Sequence, residues 1–281
     1  MRTLIIAVVT LQSVWAQPTV NVGAELYAGA SDIPGYRSFF HGFWAGRETA
    51  YPSLVYMRAE VNGWTAYGSL GLGRVEDVAS ARQLVEGYLR APLSPSAGLT
   101  AGRFWIPFGL QEWQYESKPG AMLDASIGEA KVSIALVQNE ALRRGNAYAR
   151  AEWAPTDSAT LGVSAGWGDG ISYGTSHNQI AGADALISLG PIALSGEAVR
   201  LSGAPEFWFG FGQAEYTGLG DVRPFVALYG WNDKSAEIGS GAVTVAGLRY
   251  QANEWLLIEG GRSFTAGQAN WWAQASITFE R

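Results

Sequence analysis

The stretch Asn270-Trp271-Trp272-Ala273-Gln274-Ala275-Ser276-Ile277-Thr278-Phe279 decides the fold. In an extended chain, successive side chains point to opposite faces. Trp271, Ala273, Ala275, Ile277 and Phe279 therefore share one face, and Gln274, Ser276, Thr278 and Glu280 share the other. One face is oily, with an aromatic residue near each end, and the other is wet. That is the pattern of a strand crossing a membrane in a β-barrel, with lipid on one side and water on the other.

The same alternation runs outward through the chain. Val20, Val22, Ala24, Leu26 and Ala28 oppose Asn21, Glu25 and Tyr27, and Val55, Met57, Ala59 and Val61 oppose Tyr56, Arg58 and Glu60. Further alternating segments cover 64–70, 83–91, 98–106, 119–126, 130–138, 147–154, 159–168, 179–189, 192–201, 206–216, 223–231, 241–251, 254–263 and 269–279. This predicts an all-β fold, a transmembrane antiparallel barrel of about 16 strands, with 14 or 12 as the alternatives. With the N-terminus in the periplasm, the periplasmic turns are 62–63, 91–97, 127–128, 154–157, 190–191, 217–221 and 252–253, mostly short and rich in Gly, Pro, Asn and Asp. The external connections, including 31–51, 73–82, 108–118, 168–178 and 231–240, are longer and more polar. A soluble all-β sandwich also alternates, but it does not call for turns that alternate short and long.

Composition agrees. There are 36 Gly, 12 Trp, 12 Tyr and 11 Phe, as tight turns and two aromatic belts at lipid–water interfaces require. Mean hydropathy is +0.02, the balance expected when half of each strand faces lipid. Met1-Arg2-Thr3, the apolar run Leu4–Leu11 and the small-residue end Ser13-Val14-Trp15-Ala16 read as a signal peptide over 1–16, cut after Ala16, leaving one barrel domain over 17–281. The run is shorter than the roughly 20 residues a spanning helix needs. The destination is the outer membrane of a diderm bacterium, reached through the periplasm. The formal charge is −6, or −7 once Arg2 is removed, which argues against nucleic acid as a partner. Cysteine is absent, excluding disulfides and thiol chemistry.

At Leu99-Thr100-Ala101-Gly102-Arg103-Phe104-Trp105-Ile106-Pro107-Phe108-Gly109-Leu110-Gln111-Glu112 the chain resembles the phosphate-selective porin (porin O/P) family, whose members carry a Gly-Arg/Lys-Phe…Pro-Phe-Gly-Leu-Glu stretch at a comparable place. The resemblance covers about fourteen residues in detail and the architecture elsewhere. It implies a sixteen-stranded trimeric channel with an inward-folding third external loop, and a passive path for ions and small polar solutes, with anions such as phosphate among the candidates. Other partners on this reading are outer-membrane lipid and the barrel-assembly machinery. No cofactor and no metal are implied.

The polar faces nominate the pore lining: Arg58, Glu60, Glu86, Arg90, Arg103, Arg150, Glu152 and Arg262, with Glu25, Asp184, Glu197 and Glu280 beside them. Opposite charges two residues apart, Arg58/Glu60 and Arg150/Glu152, with Glu86 near Arg90, either set up a transverse field across a channel or pair to hold strand register. In the third loop, Phe108–Lys118, the residues Glu112, Tyr115, Glu116 and Lys118 are the candidate constriction. The longest loop, Ser31–Tyr51, carries Arg37, Phe39, His41, Trp44 and Arg47 as a rim cluster or a solute platform. A non-conducting structural or adhesion barrel is the second reading. A lipid hydrolase is the third. It would draw on Ser176-His177-Asn178, but neighbouring loop residues rarely present a nucleophile to its base, so the expectation is that the chain is not an enzyme.

Overall fold

The computed structural model describes residues 18–32, 38–39, 41–43, 50–72, 84–110, 117–139, 144–169, 177–203, 206–233 and 239–280. Sixteen long strands form the wall: β1 (Thr19–Ser31), β2 (Ala50–Val61), β3 (Trp64–Leu72), β4 (Leu84–Ser94), β5 (Ala97–Trp105), β6 (Ser117–Ile127), β7 (Ala130–Asn139), β8 (Arg144–Thr156), β9 (Ala159–Trp167), β10 (His177–Leu189), β11 (Ile192–Gly203), β12 (Phe207–Tyr216), β13 (Val222–Asp233), β14 (Ser240–Asn253), β15 (Leu256–Thr265) and β16 (Gln268–Glu280). Each pairs antiparallel with its sequence neighbours. β1 closes the ring on β16, from Gly23↔Glu280 to Ser31↔Trp272. The protein is a closed 16-stranded antiparallel β-barrel, and closure leaves no unpaired edge. All sixteen segments marked by alternation in the sequence are strands.

One rim carries seven turns, several of them two-residue hairpins, together with the start of β1 and the end of β16. At Asn62-Gly63 both residues have positive φ (51° and 79°), the geometry of the turn that matches strand twist. The opposite rim carries the longer connections, with three exceptions that depart from the expected parity, the first being the step from Asn139 at the end of β7 to Arg144 at the start of β8. β11 ends at Gly203 and β12 starts at Phe207, and Ala266-Gly267 is a two-residue turn with φ 41° and 86°.

The seam between β1 and β2 is split. The two strands pair from Thr19↔Glu60 to Glu25↔Leu54 and then part. The short segment Ser38–Phe39 pairs with Gly29 and Ala30 of β1, and His41–Phe43 pairs with Ala50–Pro52 of β2, filling the gap at the loop rim. Part of the loop read as Ser31–Tyr51 is thus wall. Residues 1–16, expected from the sequence to be a signal peptide, lie outside the described residues.

The outer face is the oily one. Val22, Met57, Leu89, Leu136, Val163, Leu228 and Leu248 stand exposed on it. Its aromatic residues gather at the two rims: Trp64, Trp153, Tyr216, Tyr250 and Phe279 at the turn end, and Trp167, Trp208, Phe264 and Trp271 at the loop end.

Candidate functional site: the lumen

The inward face is divided into two tiers. Near the loop rim it is apolar. Phe104, Ile106, Phe108, Tyr148, Ile180, Val199, Leu201, Phe209, Phe211, Tyr229, Val245 and Trp272 form one buried cluster. Near the turn rim it is charged. Alternation alone predicts neither tier, because it separates in from out and carries no information on height.

The apolar tier exists because the chain turns inward after β5. Ile106 and Phe108 are 0% and 1% exposed, so burying them drives the segment off the wall and into the lumen. Gly109 adopts φ 54°, a left-handed conformation that favours glycine. Its N–H donates to Ser164 Oγ at 2.9 Å, and a Cβ there would meet the Glu197 carboxylate. The Phe108 ring occupies the space that a side chain at Gly182 would fill, about 3.0 Å from the position of that missing Cβ. The opening of the third loop is therefore pinned against β9, β10 and β11. Glu112, Tyr115 and Glu116 lie outside the described residues. Lys118 is a correction: it belongs to β6, is buried, and sits 5.9 Å from the centroid of the Tyr148 ring.

The charged tier is a set of ion pairs. Arg58 and Glu60 meet at 2.5 Å and are about half exposed. Arg150 pairs with Glu152 at 3.2 Å, as its spacing implies, but its main partner is Asp184, which accepts from Nη1 at 2.5 Å and from Nη2 at 2.9 Å. Arg90 pairs with Asp124 at 2.6 Å. Glu86 is buried elsewhere, with its N–H donating to Ser69 Oγ, so the expected Glu86–Arg90 proximity does not become a pair. Five participants are missing from the sequence-based pore lining: Asp124 and a group of four. Arg249 bridges Glu259 (3.0 Å) and Glu215, with Arg223 beside Glu215 and Phe225 beneath the guanidinium at 4.6 Å. Their signal was present in the strand spacing, since Arg249 and Glu259 fall on the inward parity of 241–251 and 254–263.

Two of these pairs repeat one design. Arg90 is in register with Thr100 on β5, and two residues earlier Gly98 faces Asp124 on β6. Arg150 is in register with Ser164 on β9, and two residues earlier Gly162 faces Asp184 on β10. In each case the arginine reaches its carboxylate across a strand that presents glycine.

Two nominated pore residues face the other way. Arg262 is in register with Ala246 and the exposed Trp271, on the outer wall. Arg103 shares its row with Gly87 and Pro119, in step with the outward Leu99 and Ala101, and its Nη1 donates to the Ser117 carbonyl at 2.8 Å. The cause is parity. Glu259 and Arg262 are three residues apart on one strand and cannot both face the lumen.

Opposite the pinned segment, the wall of β1–β4 carries a row of tyrosines. Tyr56 stacks on Tyr67 at 5.8 Å between centroids, and Tyr67 on Tyr88 at 5.2 Å. Tyr56 Oη donates to Glu280 Oε2, which sits beside Asn21. Of the loop triplet, Ser176 lies outside the described residues, and His177 opens β10 in register with Gly203.

No protein-family model matches the chain, and no curated protein sequence matches it. Solved structures do. A loop-deletion mutant of OmpT, an outer membrane protein of Vibrio cholerae, superposes with TM-score 0.70 at 9% identity, covering 93% of this chain and 99% of its own. A mutant of the Rh. blastica porin gives 0.64 at 12%, over 94% and 100%. The anion-selective porin from Comamonas acidovorans gives 0.67 at 10%, over 94% and 99%. The likeness is of fold, end to end: the barrel architecture of porins.

Proposed function

We propose that this protein is an outer-membrane porin, a passive diffusion channel for ions and small polar solutes, with no catalytic role. One observation carries the reading: a closed barrel whose outer strand faces are apolar around a lumen lined by ion pairs. Charge on the inner face is affordable only if water reaches it, and the outer face is solvated only by lipid. The likeness to an outer membrane protein of Vibrio cholerae and to the anion-selective porin from Comamonas acidovorans supports the same conclusion.

The solute path runs along β1–β4, past the tyrosine row, because the start of the third loop packs on the opposite wall. Cations are favoured over anions such as phosphate. Each described inward arginine has a carboxylate beside it, whereas among the described residues Glu25 and Glu280 hydrogen-bond only neutral partners, Tyr27 for the first and Asn21 and Tyr56 for the second. The apolar tier supports a second reading, a sealed structural barrel. Single-channel conductance of the refolded chain in a planar bilayer, with reversal potential under a salt gradient, separates them. Stable steps with a cation-selective potential are expected. Silence from a folded barrel selects the structural reading.

A further inference from the structure

The outward-facing positions of the sixteen described strands include three charged side chains, Arg103, Arg200 and Arg262, and no carboxylate. All three are arginines and all three lie at the loop rim. Arg200 is in register with Trp208, its guanidinium 5.3 Å from the ring centroid. Arg262 is in register with Trp271. Both tryptophans are about half exposed to the surroundings of the barrel. Arg200 also meets Glu206 at 2.7 Å, while Arg262 has no carboxylate partner among the described residues. The turn rim has an aromatic belt of its own, in Trp64, Trp153, Tyr216 and Tyr250, but no outward cation among the described strand residues.

An aromatic belt is what any lipid–water interface selects. Described outward cations at one rim alone fit two interfaces that differ in charge. A guanidinium offers forked donors that match phosphate oxygens, and it remains charged at every relevant pH. A tryptophan beside it holds the boundary between headgroup and acyl chain. Below each pair the wall is smooth and apolar: Ala198 and Gly196 below Arg200, Gly260 and Ile258 below Arg262.

We infer that the Arg200–Trp208 and Arg262–Trp271 pairs are binding sites for the phosphate groups of anionic lipid in the leaflet at the loop rim, with the acyl chains lying on the apolar wall beneath. The inference rests on the membrane-barrel reading above. It adds a ligand class and an orientation, the loop rim in the phosphate-rich leaflet.

The test uses the full mature chain in mild detergent, with bisphosphorylated lipid A and its dephosphorylated form as probes, and retained lipid counted by native mass spectrometry. Wild type should retain the phosphorylated lipid and release the other. The R200A/R262A double variant should lose about tenfold in retention, as expected for two charge-assisted contacts, and R200K/R262K should recover part of it. Equal retention of both lipids, or no change in the double alanine variant, overturns the inference. Displacement by millimolar inorganic phosphate would assign the sites to a free anion and overturn the lipid source. Insertion of the same preparation into vesicles is scored separately, so failure of the membrane reading is distinguishable from failure of the lipid sites.

Discussion

Arg150 and Asp184 are held together across an intervening strand, with the bare backbone of Gly162 between them. Asp184 is 1% exposed at the side chain and Arg150 12%, so neither finds full solvation alone. Asp184→Asn strips the charge partner from a mostly buried guanidinium, leaving Glu152 and Ser164 as weaker substitutes. The expected loss is about 2–3 kcal/mol, below the 3–5 kcal/mol typical of a fully buried pair because two partners remain. Glu60→Gln breaks a pair that is half exposed, and about 0–1 kcal/mol is expected. Urea unfolding of the vesicle-inserted barrel ranks the two. Equal losses would mean that burial does not control the strength of these pairs.

The glycine between the pair is as specific as the charges. A Cβ at Gly162 would lie 2.5 Å from both Asp184 carboxylate oxygens and 2.6 Å from Arg150 Nη2. Gly162→Ala must therefore separate the pair, and a loss close to that of Asp184→Asn is expected. Gly68, on the outward face, has nothing within 4 Å of its absent Cβ. Gly68→Ala should be neutral or stabilise by about 0.5 kcal/mol, through lower entropy of the unfolded chain. The same unfolding titration applied to both variants checks this.

Which face a residue takes was legible in the sequence, because alternation has a period of two and any barrel strand must obey it. Trp271, Ile277 and Phe279 are outward and Gln274 inward, as the opening segment implies. The two misplaced arginines show the limit. Charge in Arg103 and Arg262 suggests the lumen, while their own strand parity points outward. Near a rim the suggestion from charge fails, because a long cationic side chain reaches the interface at little cost. Partners were less legible still. Arg90–Asp124 and Arg150–Asp184 are each 34 residues apart, and only the register of three consecutive strands brings them together.

The inward path of the third loop depends on Phe108. Phe108→Ala removes a ring that is 1% exposed and packed at Gly182, and local stability should fall by about 3–5 kcal/mol. The wall has its own hydrogen-bond ladder and should persist. Released from β9–β11, residues 106–110 should become cleavable from the loop side by an added protease. Single-channel traces should show larger and noisier openings than wild type. Unchanged proteolysis and conductance would mean that Ile106 and the Gly109–Ser164 hydrogen bond hold the segment unaided.

The depth of the lipid-facing band is readable from β10. Ala181 is in register with Arg200, at the height where the outer wall already carries an arginine, whereas Ala185 lies four residues deeper, in register with the exposed Leu161 and with Gly196. An arginine near the bilayer midplane costs about 2–4 kcal/mol, and one near the interface about 0–1 kcal/mol. Ala185→Arg should therefore lower the unfolding free energy in vesicles by about 2–4 kcal/mol, and Ala181→Arg by no more than about 1 kcal/mol. In detergent micelles, where the chain ends yield and water approaches more closely, the gap between the two should shrink. A gap of the same size in both media would point to packing rather than to lipid as the source of the cost, and it would remove the physical basis for placing the Arg200 row at the membrane surface.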